Sequence, residues 1–230
     1  MTVGAAAVAN KAHRRTVLSR LQLGIESLYR VNTQLNVEAF LLDEEARKQS
    51  GVARAPREQL LINHRVTDDG SGDGGQGEDE LRIGLFLDQR AIANLEQNDP
   101  ARRLDGDNFA DFCLAVEGVS HFIYVAICAA ADRSVSALEL ELQAEVDKFA
   151  CCFLVASGDL DDEVSNQHSR RGEEAAQALT ARLYDDISYA EDLDADERSR
   201  YRVANLEARR YTKTLSRSFV AQDRVPDMLH

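Results

Sequence analysis

Asn108-Phe-Ala-Asp-Phe-Cys-Leu-Ala-Val-Glu-Gly-Val-Ser-His-Phe-Ile-Tyr-Val-Ala-Ile-Cys-Ala-Ala-Ala131 is the most apolar stretch in this chain, and its reading decides the architecture. Apolar residues run nearly all the way round the helix it would form. That pattern marks a helix buried on most sides. Two polar side chains interrupt it: Glu117 and His121 are four apart and therefore share one helix face. Gly118 and Ser120 beside them are small and permit close approach by another element. A glutamate in such surroundings is costly to bury unless a partner meets it.

The next segment supplies partners. Val135-Ser-Ala-Leu-Glu-Leu-Glu-Leu-Gln-Ala-Glu-Val-Asp-Lys-Phe149 is again helical in its spacing, and Asp132-Arg133-Ser134 before it is a tight connection. Two helices joined so closely pack antiparallel. Facing residues then carry numbers that sum to about twice the turn centre, here about 265. The arithmetic sets Glu117 level with Lys148, His121 with Glu145, and Tyr124 with Glu141. Glu141 and Glu145 are themselves four apart on one face.

Three chemistries suit this set. The first is a buried polar network of Glu117, His121, Tyr124, Glu141, Glu145 and Lys148 that fixes the register of the hairpin. Such networks confer specificity more than stability, because desolvation offsets most of the attraction. The second is a divalent-metal site formed by Glu117, His121, Glu141 and Glu145, since inward-facing carboxylates and an imidazole suit iron, manganese or zinc. The Glu-x-x-His spacing of di-iron bundles and the HExxH motif of zinc proteases are both missing. The third is general acid–base catalysis by His121 oriented by Glu145, the carboxylate raising the imidazole pKa. No nucleophile elbow accompanies it, and Ser120 points about a third of a turn away from His121.

Working outward, Val17, Leu18, Leu21, Ile25 and Leu28 have helical spacing within residues 12–29. Asn32, Thr33, Gln34 and Asn36 then predict an irregular connection, followed by a short helix over 41–49 and a boundary at Pro56. Gln59–Val66 and Glu80–Leu87 are short and β-compatible, and they flank a Gly/Asp-rich loop. Asp88 is placed to cap a helix reaching about Gln97, which Asp99-Pro100 ends. Further helices are expected at 107–131, 135–157, 170–190 and 195–221, with connections at Gly158–Asp162 and Glu191–Asp194.

The Gly/Asp-rich loop resembles a calcium-binding loop in its oxygens. Asp69, Ser71 and Asp73 fall at the first, third and fifth positions, with Gly74 at the sixth and Glu80 at the twelfth. Gln76 stands where that motif wants an aliphatic residue, and the flanks are strands, so a solvated acidic loop is the preferred reading.

The fold class expected is mainly α (α+β): an antiparallel helical bundle of four to six helices with one small β-hairpin, in a single domain. Its parts are N-terminal helices over 12–55, the hairpin with its loop and short helix over 57–98, and a helical body over 107–221. A chain of 230 residues with 44% hydrophobic and 29% charged residues has ample material for a core. Its net charge of −13 argues against an anionic membrane surface and against wholesale coating of nucleic acid. No uninterrupted run approaches eighteen apolar residues, so no membrane span is expected.

At the N-terminus, Met1–Lys11 precedes His13-Arg14-Arg15, the reverse of a secretory signal's order. Cys113, Cys128, Cys151 and Cys152 lie in apolar helical patterns without CxxC spacing, which suits reduced thiols in the cytoplasm better than a vicinal Cys151–Cys152 disulfide.

Charge is unevenly spread. Glu139–Glu197 holds 17 acids and 4 bases, whereas Arg198–Arg224 holds 7 arginines and one lysine against Glu207 and Asp223. The basic helix is expected to lie against the protein's own acidic helices. Arg202, Arg209 and Arg210 are its candidate anion-binding residues, and Tyr201 and Tyr211 lie between the arginines. Val225–His230 is expected to be a frayed tail.

The function expected first is partner binding or oligomeric assembly by a soluble cytoplasmic protein that needs no cofactor. The alternatives are a metal-dependent, hydrolytic enzyme centred on Glu117, His121, Glu141 and Glu145, and a nucleic-acid accessory protein acting through 198–224.

Overall fold

The computed structural model describes residues 15–49, 56–66, 79–158, 165–185, 187 and 193–217. The N-terminal leader question, residues 67–78 of the calcium-like loop, residues 159–162 of the connection after the hairpin, the end of the basic helix and the tail fall outside the described residues.

The protein is mainly helical with a small sheet. Its described elements are α1 (Val17–Tyr29), β1 (Leu41–Leu42), α2 (Glu44–Gln49), β2 (Glu58–Val66), β3 (Asp79–Leu87), α3 (Gln89–Gln97), α4 (Phe109–Ala130), α5 (Ala137–Gly158), α6 (Ser165–Tyr184) and α7 (Ala195–Leu215). A 3₁₀ turn over Val37–Phe40 precedes β1.

Local chemistry sets the helix starts. Thr16 caps α1 by accepting from the Ser19 amide at 3.2 Å, so the helix begins later than the residue 12 that spacing alone suggests. Asp88 caps α3, as expected, accepting from the Arg90 amide at 2.9 Å. Asp194 and Glu197 form a reciprocal capping box that starts α7.

The strands correct the expectation of a lone hairpin. β2 and β3 pair antiparallel, from Glu58 opposite Leu87 to Val66 opposite Asp79. β1 adds a third, parallel strand on the far side of β3, in the order β1–β3–β2. The segment 41–49 is therefore a two-residue strand followed by a single short helix. At Gly84 an added Cβ would come within 2.7 Å of Leu42 Cδ1, so the glycine is what admits the β1 side chain over the sheet.

α4 lies at the centre, packed by α1, α3, α5 and the β2–β3 ribbon. α5 in turn meets α6 and α7. Phe122, Phe149 and Phe153 are the largest of the fully enclosed side chains, and Phe149 and Phe153 stack with centroids 6.0 Å apart. α4 also bears on the expectation of no membrane span. It is 22 residues long with a best-window mean hydropathy of 1.8, long and apolar enough to cross a bilayer by length and composition. Alanines and cysteines between the larger apolar residues raise that average. In the fold, 61% of the window is buried inside the protein, as a core helix requires.

Candidate functional site: the buried charge cluster of the α4–α5 hairpin

Asp132 adopts a left-handed backbone, φ 51°, at the end of α4 and lets the chain reverse into α5. The reversal brings Glu117 and Lys148 to the same height, as the hairpin arithmetic predicts. Lys148 Nζ donates to Glu117 Oε2 at 2.6 Å and also to Glu145 Oε1 at 2.9 Å, one turn back on its own helix.

His121 finds other partners than the one expected. Its Nδ1 is 3.3 Å from Glu58 Oε1 on β2, and its Nε2 is 4.0 Å from Glu141 Oε2. Glu145 is turned to Lys148, so the proposed His121–Glu145 catalytic pair is not formed. Tyr124 does not reach Glu141 either; its hydroxyl accepts from Arg133 Nη2 at 2.6 Å, at the hairpin turn. Equal height on two helices does not guarantee facing sides, and each long side chain turned to the nearest opposite charge.

Glu58 is delivered by backbone packing. Arg57 bonds Asp88 at 2.9 Å and Asp111 at 2.7 Å, which pins the start of β2 to both α3 and α4. Gly118 lets the ribbon approach α4: an added Cβ would fall 2.8 Å from Leu87 Cδ2 and 3.2 Å from Glu58 Cγ. From α7, the Tyr201 hydroxyl bonds Glu141 and closes the cluster.

Four carboxylates thus share two cations in an interior where His121 is only 5% exposed. Burial alone would lower the His121 pKa, but its bond to Glu58 and the charges of Glu58, Glu117 and Glu141 raise it to about 9. Burial lifts Glu141 to about 7, only partly opposed by His121. Burial also lifts Glu58, more than its bond to His121 lowers it. Glu117 goes the other way: despite burial, Lys148 and His121 hold it below its usual value. Burial would lower Lys148, but Glu117 and Glu145 keep its pKa well above normal. The cluster therefore holds its cations charged at neutral pH and keeps a proton in play on Glu141.

The metal reading meets an occupant. Lys148 Nζ lies between Glu117 and Glu145, two of the four expected ligands. Among the described residues no group of three His, Cys, Asp or Glu side chains is arranged to hold a metal ion. His121 Nε2 is buried without a hydrogen-bond partner among them.

A second polar cluster on the hairpin escaped sequence reading. Asp147 is 1% exposed; its Oδ2 accepts from Ser120 Oγ at 2.6 Å, and its Oδ1 accepts from Tyr29 Oη on α1 and from Gln143 Nε2 at 3.1 Å. The numbers of Ser120 and Asp147 sum to 267, so the same hairpin arithmetic contained this pair. Nothing local pointed to Tyr29, Glu58 or Tyr201.

The candidate anion-binding arginines are dispersed. Arg209 bonds Asp185 at 2.5 Å, Arg210 bonds Glu207 at 2.6 Å, and Arg202 is exposed. The first two ion pairs leave no shared guanidinium fork at 209–210. α7 packs against α5, whose Glu139, Glu141, Glu145 and Asp147 outnumber Lys148, as expected for a basic helix beside an acidic one; it also meets α6, which carries three arginines and two glutamates. All four cysteines are free thiols, and no vicinal disulfide joins Cys151 to Cys152.

Fold and site together define a mainly helical protein built round a buried charge cluster. Compared with protein-family models, curated proteins and solved structures, the chain finds no match in any of the three.

Proposed function

We propose that the protein is a soluble cytoplasmic scaffold that acts by association, pairing with a second copy of itself through the β2 edge. The observation that carries this reading is an apolar sheet face that runs out past the core. Leu60, Leu85 and Leu87 line the inner face of the ribbon and pack into the core, yet on the same face Ile62 is 47% and Leu81 37% exposed.

β2 also forms one edge of the sheet, with backbone donors and acceptors turned outward. A second copy is the occupant best suited to it. An antiparallel two-fold pairing of β2 with β2 is self-complementary and closes both edges at once. Repulsion between two chains of charge −13 is also reduced there, because the one acid in Glu58–Val66 is Glu58, turned inward to His121. Catalysis at the charge cluster is less favoured, since its cations are already engaged, Lys148 with Glu117 and Glu145 and His121 with Glu58. Free thiols favour a reducing compartment.

Light scattering after size exclusion tests the pairing. Wild type should show twice the chain mass of 25.5 kDa, and Ile62→Lys should return it to one chain with an unchanged circular dichroism spectrum. A single-chain mass for wild type at high micromolar concentration sinks the self-association reading.

A further inference from the structure

Asp147 differs from the other buried carboxylates of the hairpin. Glu117 and Glu145 share Lys148, and Glu58 and Glu141 flank His121. Asp147 has no cation in contact among the described residues; it is held by three neutral donors, Ser120, Tyr29 and Gln143. An ionised carboxylate offers about four acceptor positions, so one remains open. A buried charge supported only by neutral donors stays costly, which agrees with burial pushing the Asp147 pKa upward.

Asp147 stands in the wall of an empty space. A cavity of about 250 Å³ lies between α1, α4 and α5, with Asp147, Ser120, Gln143 and Tyr29 in its wall. The rest of the lining is hydrophobic in character, with Ile25, Ile123 and Ile127 prominent. Tyr29 is 39% exposed, so the polar end connects with the surface. One acceptor beside a hydrocarbon wall is the pattern of a small-ligand site, and the volume falls just under the roughly 300 Å³ at which such sites begin.

We propose that this cavity binds a small primary amine as its ammonium ion, the nitrogen donating to Asp147 and the hydrocarbon filling the space against Ile25, Ile123 and Ile127. The volume selects a molecule of one ring or a short alkyl chain. A metal ion is a poor occupant, because Asp147 is the one charged oxygen ligand in the wall, and Ser120, Tyr29 and Gln143 are already turned to it as hydrogen-bond donors. A neutral alcohol can fill the same space but leaves the carboxylate uncompensated.

Isothermal titration of the full chain with benzylamine, and with benzyl alcohol as the uncharged isostere, tests this. Benzylamine should bind saturably at one site, and benzyl alcohol at least about tenfold more weakly. Asp147→Asn should weaken benzylamine by at least about tenfold. Ile127→Trp, which fills the cavity and leaves the carboxylate intact, should abolish binding. Absence of saturable benzylamine binding to wild type overturns the proposal, as does equal affinity for the alcohol. If Asp147→Asn fails to fold, the alcohol comparison and Ile127→Trp decide alone; full benzylamine affinity in Ile127→Trp overturns it too.

Discussion

One side of the α4–α5 hairpin is a crowded charge cluster and the other a sparse one. Towards the ribbon and α7, four glutamates share His121 and Lys148. Towards α1, Asp147 has, among the described residues, only Ser120, Tyr29 and Gln143 as hydrogen-bond donors. Both clusters are buried, and both use neighbouring positions of the same two helices. The difference is in compensation. The first is closed by its own cations, so it locks the register of four elements, β2, α4, α5 and α7, and answers to pH. The second keeps an unused acceptor beside a cavity, which is what a ligand site needs.

The widest test of this contrast is the pH dependence of stability. His121 is raised from 6.5 to about 9, so its contribution is complete below pH 6.5 and is lost as pH climbs through 9. Glu141 is raised from 4.5 to about 7; the folded state keeps its proton where the unfolded chain has released it, so stability also falls from pH 4.5 to 7. Glu58 and Asp147, raised by burial, act in the same direction. Glu117, held low, loses its contribution only at more acid pH. Urea unfolding should show greatest stability near pH 5 and a decline of about 3 kcal/mol from each of His121 and Glu141 by pH 9. His121→Gln should flatten the limb above pH 6.5; a wild-type profile that rises across this range contradicts the charge assignment.

Breaking one ion pair comes next in size. Lys148→Ala strands Glu117 and Glu145 in the interior and should cost about 3–5 kcal/mol. Replacing Glu117 and Lys148 together by leucine should recover only the part due to Glu117, because that charge is removed along with its attraction while Glu145 stays without its cation. A double variant as unstable as the single would mean that the pair contributes net stability and not register alone.

On the opposite side Ser120→Ala removes one neutral donor from Asp147 and should cost about 2 kcal/mol by the same urea measurement. A loss exceeding that of Lys148→Ala would invert the ranking of the two clusters.

Much of this was legible in the residues. The apolar run of 108–131 announced the central helix, and the tight turn at 132–134 announced its antiparallel partner. From those two facts the Glu117–Lys148 contact followed by arithmetic, and Asp88 was legible as a cap. The partner of His121 was not. Glu58 is remote in sequence and reaches the imidazole only because Arg57 anchors the strand and Gly118 admits it. The Arg209–Arg210 fork failed for a related reason: each guanidinium took the nearest acid, one on its own helix and one at the end of α6.

What the sequence determined by itself was where helices and strands run and which of them must be buried while carrying charge. Periodicity and caps are short-range properties, read within one or two turns. Which charge meets which was decided by the tertiary structure alone. A buried side chain chooses among whatever groups a third element brings within about 4 Å, and that choice depends on glycine-sized gaps and strand anchoring between segments distant in the chain.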